Sequence, residues 1–166
     1  MTTYRTASIN DVVGMARLRD ASGWRGGAEA ETMRRYLAAE HHPQHALTAR
    51  VAFLAEAAGE IVGYIAGHLT TRFECEGELQ WFLIAPAQRG GDAAASLLDA
   101  LAKWFRTQGA TRVCVNVAPD NGRARQFYAR HGAMELSDHW MVWPDIEAAR
   151  LPRVVDAGPQ KSRRDR

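Results

Sequence analysis

Cysteine is scarce in this chain: 166 residues carry two, Cys75 and Cys114, and neither lies at the close spacing of a metal or redox motif. That excludes a disulfide framework and makes a reduced, cytoplasmic protein the expectation. Long apolar runs are missing too, and the opening "MTTYRTASIND" has no apolar centre of the kind a signal peptide needs, so no membrane partner is expected. No G-x-x-x-x-G-K-[ST] occurs, and no G-x-G-x-x-G follows a strand pattern. The nucleoside-triphosphate loop and the dinucleotide fingerprint are thereby excluded. Metal-ligand spacing is also absent. The three histidines of "HHPQH" (His41, His42 and His45) have no carboxylate or cysteine at ligand spacing, so a surface loop and no metal are expected.

Charge removes one more class. The formal net charge of +2 is made of two unlike parts. From Arg150 onward six basic residues stand against Asp156 and Asp165, a net of +4, which leaves residues 1–149 at −2. A body of that sign offers no platform for a phosphate backbone, so nucleic acid is not an expected partner. Residues 1–149 have the size of one domain, and residues 150–166, with "GPQKSRRDR", read as a basic, disordered tail.

What is present is an alternation of strand and helix patterns. "TYRTASI" reads as a first strand, followed by a helix capped at Asn10 or Asp11 and a second helix over "AEAETMRRYLAAE". "ARVAFLAEAAGEIVGYIAGHL" gives two β-rich runs around a hairpin-like "EAAGE". "GELQWFLIAP" is a strong strand, and its parity puts Glu78, Gln80, Phe82 and Ile84 on one face with Leu79, Trp81 and Leu83 on the other. A helix with Ala94, Leu97, Leu98, Leu101, Trp104 and Phe105 on one stripe follows, then the buried-type strand "TRVCVNV". Asn121 opens a further helix that ends at Gly132, and "HWMVW" closes as a β run. The order predicts a mixed α/β domain around one sheet, with Leu79 to Val117 as a parallel crossover.

Two stretches carry chemistry. In "IAPAQRGGDAAASLL", Ile84 to Leu98, a strand ends, Gly90 and Gly91 turn the chain, and a helix begins. That order aims backbone N–H groups and a helix dipole at an anion, with Arg89 able to add a charged contact. Taken alone, the stretch reads more readily as a turn that merely starts a capped core helix. Asp92 places a carboxylate where the anion would arrive, and an outward-turned cap is the expected resolution. The second stretch, "NGRARQFYARHGA", follows the next strand.

Together, in this order and separation, the two resemble the acetyl-CoA-binding core of the GNAT superfamily of N-acetyltransferases. Pro86, Arg89, Gly90, Ala94, Leu97 and Leu98 match the family's "P-x-x-R-G-x-G-x-G-x-x-L-L", and Asn121, Ala124, Phe127, Tyr128 and Gly132 match "N-x-x-A-x-x-[FL]-Y-x-x-x-G-F". Asp92 replaces the loop's middle glycine and Ala133 the usual phenylalanine, while a shifted frame, Gln88-x-x-Gly91-x-Ala93, fits a looser form of the loop. The resemblance spans roughly residues 51–143. It implies a GNAT acyltransferase fold: a central, mostly antiparallel mixed sheet with one parallel splayed strand pair, flanked by helices.

For function, the resemblance implies an acetyl-CoA-dependent N-acetyltransferase. Arg89, Gly90, Gly91, Asp92, Ala93 and Ala94 are then the pyrophosphate turn. Phe82, Leu83 and Ile84 contact the pantetheine arm through their main chain, and Asn121 either joins them or only caps its helix. Some members carry a glutamate six residues before the position of Ile84, which makes Glu78 the candidate base among Glu74, Glu76 and Glu78. Tyr128 matches the tyrosine near the sulfur and is the candidate acid, although a Phe-Tyr pair on a helix also reads as core packing. Gln80, with Trp24 and Arg25 of "SGWRGG", falls where such proteins shape the acceptor site. The acidic "FECEGE" suggests a cationic acceptor, a small-molecule or peptide amine, whose identity stays open. A non-catalytic acyl-CoA-binding or sensory module, and a homodimer, also stay open.

Overall fold

The alternating run "ALTARVAFLAEA" and the apolar "EIVGYIAGHLT" form the two longest strands, β2 (Ala46–Ala57) and β3 (Glu60–Thr70). Ala58 and Gly59 join them, both at positive φ (51° and 78°), the backbone that a two-residue hairpin turn requires. The computed structural model describes residues 1–23 and 29–152. Around that hairpin it arranges β1 (Thr2–Thr6), β4 (Gly77–Ile84), β5 (Val113–Asn116), β6 (Met134–Ser137) and β7 (Trp140–Trp143) in one sheet of order β1-β2-β3-β4-β5-β7-β6. Every neighbouring pair is antiparallel except β4 and β5, which run parallel. This is the expected mixed sheet with one parallel pair. β6 was not expected from the sequence. All four of its residues are exposed, so it carries no alternation to read.

Helices cover both faces. α1 (Val12–Ser22) and α2 (Ala30–Leu37) bury Val12, Met15, Met33 and Tyr36 against Leu54, Tyr64, Ala66, Trp81 and Leu83. The expected cap at Asp11 takes another form: Asp11 makes no cap bond to α1, and instead accepts from the Ser8 N–H at 2.8 Å and pairs with Arg5. On the other face, α3 (Ala93–Thr107) and α4 (Gly122–Arg130) cover Ile65, Leu79, Val113 and Val115. Leu97, Leu98, Leu101 and Phe105 of α3 are at most 1% exposed, each contributing about 1.5–3 kcal/mol of apolar burial. Phe105 lies so close to Gly77 that a Cβ there would sit 2.5 Å from its ring. At the end of the described chain, Arg150 Nε is 2.6 Å from Asp99 Oδ1 and the Leu151 N–H donates to the same oxygen, fastening these residues to α3. Residues 153–166 of the tail lie outside the described residues.

One irregularity sets up the site. β3 and β4 pair Ala66 with Trp81 but Gly67 with Leu79, so Gln80 is an extra residue, a β-bulge. The side-chain alternation changes phase there. Leu79, Phe82 and Ile84 face α3, while Trp81 and Leu83 face α1 and α2. Glu78 reaches His68 and, through it, Tyr36, on the α2 side. The expected parity, with Glu78, Gln80, Phe82 and Ile84 sharing one face, is therefore corrected: a strict period of two holds only on either side of Gln80.

Candidate active site

The parallel pairing of β4 with β5 is short. It joins Gly77 to Val113, Glu78 to Cys114 and Leu79 to Val115, and stops at the bulge. Beyond it the strands part, and β5 continues with β7, where the Val117 N–H donates to the His139 carbonyl at 2.8 Å. The opening is a cleft of about 1020 Å³ lined by the whole of β4 from Glu78 to Ile84 and by residues 115–118. Among the described residues no strand pairs the main chain from Gln80 to Ile84 on its β5 side, where it borders the cleft. That is the geometry in which an extended ligand adds as a strand.

One end of the cleft is the glycine turn. Gly90 takes φ +83°, a conformation glycine reaches at little cost, and Arg89, Gly90 and Ala94 line the cleft. The first bond of α3 runs from the Ser96 N–H to the Asp92 carbonyl at 2.9 Å, so the N–H groups of Ala93 to Ala95 have no intrahelical acceptor. Gly91 and Asp92 sit on the turn outside the cleft lining, and Ala93 is buried beside them. Asp92 does occupy the cap position, but its exposed carboxylate makes no cap bond, which corrects the expected capping role. Across the opening, α4 is strapped to the sheet by Arg125, which donates to the carbonyls of Val117, Ala118 and Asp138. Asn121 caps α4 by accepting from the Ala124 N–H at 3.3 Å, and it also lines the cleft, with Arg123 and Arg130 nearby on the same wall.

Tyr128 projects from α4 into the middle of this arrangement. Its ring packs on Phe82, Phe127 and Trp143, with centroids 5.4–6.3 Å away, and the residue also lines the cleft. Burial pushes the phenol's pKa up, so at neutral pH it holds its proton and can donate it. Packing and lining coexist at this residue.

At the far end, Glu78 is 4% exposed yet borders the cleft. Three groups converge on its Oε2, each at 3.3 Å: His68 Nε2, Arg72 Nε and Thr70 Oγ1. Among the described residues none reaches Oε1. His68 Nδ1 is 2.9 Å from the Tyr36 hydroxyl, and Arg72 stacks over the Trp140 ring at 4.6 Å. Gln80, Arg72, Trp140 and Pro43 line the same end. Trp24 and Arg25 lie outside the described residues. The acidic stretch does not form a negative face here. Glu78 is paired with Arg72, and Glu74 and Glu76, both exposed, stand outside the cleft lining, with Glu76 accepting from the N–H groups of Thr111 and Arg112.

Sequence reasoning missed Tyr36, His68, Thr70 and Arg72. One signal was available: His68 is the one basic side chain in the otherwise apolar run "IVGYIAGHL", and the register of β3 on β4 sets it opposite Glu78. Neither cysteine lines the cleft; Cys75 and Cys114 pack with Val142, and burial pushes the Cys114 thiol up, away from the reactive thiolate.

Known proteins share this architecture. The family model described as "Acetyltransferase (GNAT) family" matches residues 21–133. No curated protein sequence is a significant match. Among solved structures, the ribosomal-protein-S18-alanine N-acetyltransferase from Escherichia coli is similar at a TM-score of 0.69 and 14% identity, covering 87% of this chain and 94% of that one. Ard1 from Thermoplasma volcanium gives 0.69 at 21% identity, over 85% and 95% of the two chains. The PaiA N-acetyltransferase from Thermoplasma acidophilum, solved in complex with coenzyme A, gives 0.65 at 19% identity over 86% and 98%. At these identities the likeness is one of fold.

Proposed function

The chain belongs to the GNAT acetyltransferase family, and from that premise we propose that it moves the acetyl group of acetyl-CoA directly onto a primary amine. The observation that carries the reading is one cleft bordered by a strand edge that no described strand pairs, a Glu78 carboxylate oxygen that no described residue reaches and the neutral phenol of Tyr128. The residues fit the co-substrate. The N–H groups of Ala93 to Ala95 and the turn at Gly90 suit a pyrophosphate, with Arg89 beside them and Arg123 and Arg130 on the opposite wall. The free edge of Phe82 to Ile84 suits an amide-bearing arm, and Asn121 keeps its side-chain N–H₂ for the same arm while its oxygen caps α4. When bound, acetyl-CoA supplies an activated thioester.

The chain's own groups then handle protons. A free aliphatic amine has a pKa near ~10 and must lose a proton before it can attack. Glu78 Oε1 is the acceptor for that proton, directly or through one water, while Oε2 stays occupied. Tyr128 holds the proton that a departing thiolate needs. Direct transfer is favoured over an acyl-enzyme because neither cysteine lines the cleft. We assign no role to residues 153–166.

Calorimetric titration with acetyl-CoA, followed by thiol release across a panel of amines, tests the reading. Saturable binding with amine-dependent release is expected. Binding without release for any amine supports a non-catalytic acyl-CoA-binding module instead, and absence of binding overturns both.

A further inference from the structure

The buried polar and charged side chains of the described residues are His68, Thr70 and Glu78, and all three meet at one carboxylate oxygen. His68 and Glu78 are direct cross-strand partners on β3 and β4. Behind His68 stands Tyr36 of α2, fully buried, with Trp81 at 4.6 Å from its ring and the Arg50 guanidinium over it at 4.7 Å. Burial pushes its phenol pKa up, so the hydroxyl keeps its proton and has one to donate. Donated to Nδ1, 2.9 Å away, it leaves that nitrogen as an acceptor, and a neutral imidazole then carries its proton on Nε2, which faces Glu78 Oε2. The opposite tautomer would set two bare lone pairs against each other across 3.3 Å.

We propose that Tyr36 and His68 are a positioning pair that pins Oε2 of Glu78 and so leaves Oε1 as the oxygen that takes the acceptor's proton. The proposal rests on the reading of Glu78 as proton acceptor. The pair is not a path for protons to solvent, because Tyr36 is 0% exposed and offers no exit. Its work is orientation: a glutamate's terminal torsion is broad, and a carboxylate held by one oxygen cannot exchange its two faces. The other two donors pin it less well. Arg72 sits at the cleft wall and also serves the Gln44 carbonyl at 3.0 Å, while the single Thr70 hydroxyl proton is shared between Glu78 and the His45 carbonyl. Only His68 is itself held from within the core.

Tyr36→Phe removes one oxygen and keeps the ring against Trp81 and Arg50. It should lower kcat for amine-dependent thiol release by about three- to tenfold, the worth of one buried hydrogen bond, and leave KM for acetyl-CoA within about twofold. In a Glu78→Gln background the same substitution should cost nothing further. His68→Gln, which keeps an N–H at the reach of Nε2, should retain more kcat than His68→Leu. Independently of turnover, ¹⁵N spectra of the ring-labelled protein at neutral pH should show the His68 proton on Nε2, with the Nδ1 resonance shifted in Tyr36→Phe by loss of the hydroxyl's hydrogen bond. A proton on Nδ1, or an undiminished loss from Tyr36→Phe in the Glu78→Gln background, overturns the proposal. If Glu78→Gln lowers kcat and Tyr36→Phe does not, the pair alone is refuted. If Glu78→Gln leaves kcat intact, the underlying reading of Glu78 fails, and the pair's role with it.

Discussion

The two ends of the cleft are built by opposite means. The turn end is contiguous: Arg89, Gly90 and the first turn of α3 lie within seven residues, offer backbone N–H groups, and stand at the surface. The Glu78 end gathers side chains from α2, β3, β4 and the segment between the strands, separated by up to 42 positions from Tyr36 to Glu78, and buries them. Backbone donors come with the fold and survive most substitutions. A buried carboxylate works only while each neighbour stays in place, because an unsatisfied partner costs far more than a lost surface contact. The turn end should therefore be tolerant, and the Glu78 end brittle.

Four substitutions, at the two ends and at Tyr128 between them, can break that contrast. Glu78→Gln should lower kcat at neutral pH by about a hundredfold or more, with KM for acetyl-CoA little changed, as steady-state thiol release would show. An unchanged kcat removes Glu78 as the base. Tyr128→Phe keeps the packing against Phe82 and Trp143 and should lower kcat on the order of tenfold, with calorimetric acetyl-CoA affinity intact. Near-normal turnover would leave Tyr128 a core residue only. At the turn, Gly90→Ala meets no atom within 4 Å, so its cost is the φ of +83° alone. That is about 1–2 kcal/mol, read as at most a roughly five- to thirtyfold loss of acetyl-CoA affinity. Asp92→Asn should be the smallest effect: equal or about twofold tighter binding, vanishing at high salt, since the carboxylate is exposed and uncommitted. Markedly weaker binding would mean that Asp92 contributes to the turn in a way its lack of a cap bond conceals.

The same contrast governs what the sequence disclosed. The crossover from Leu79 to Val117 and the glycine turn were legible because strand, turn and helix signals sit side by side and depend on local backbone preferences. Asn121 was legible as a cap for the same reason. The Tyr36–His68–Glu78 line was not, because only the register of β3 on β4 and the docking of α2 bring it together. The bulge at Gln80 was hidden as well, since no glycine or proline marks it, and the alternation on each side looks unbroken. β6 was invisible through its exposure, and the cap expected at Asp92 failed because its carboxylate remains unbonded.

The bulge has a consequence for chain length. In β4 the count of residues matters more than the identity of the one at position 80. Gln80 can change its side chain and still be the additional unit between Glu78, which points towards α2, and Phe82, which points towards α3. Deleting it would restore a uniform two-residue period and, because the flanking residues already alternate across it, keep Glu78 towards α2 and Phe82 towards α3; what would be lost is the local kink where β4 parts from β5. A point substitution at Gln80 leaves that kink in place, so deleting this one residue should do what no point substitution there can: straighten β4 at the mouth of the cleft without turning its other side chains over.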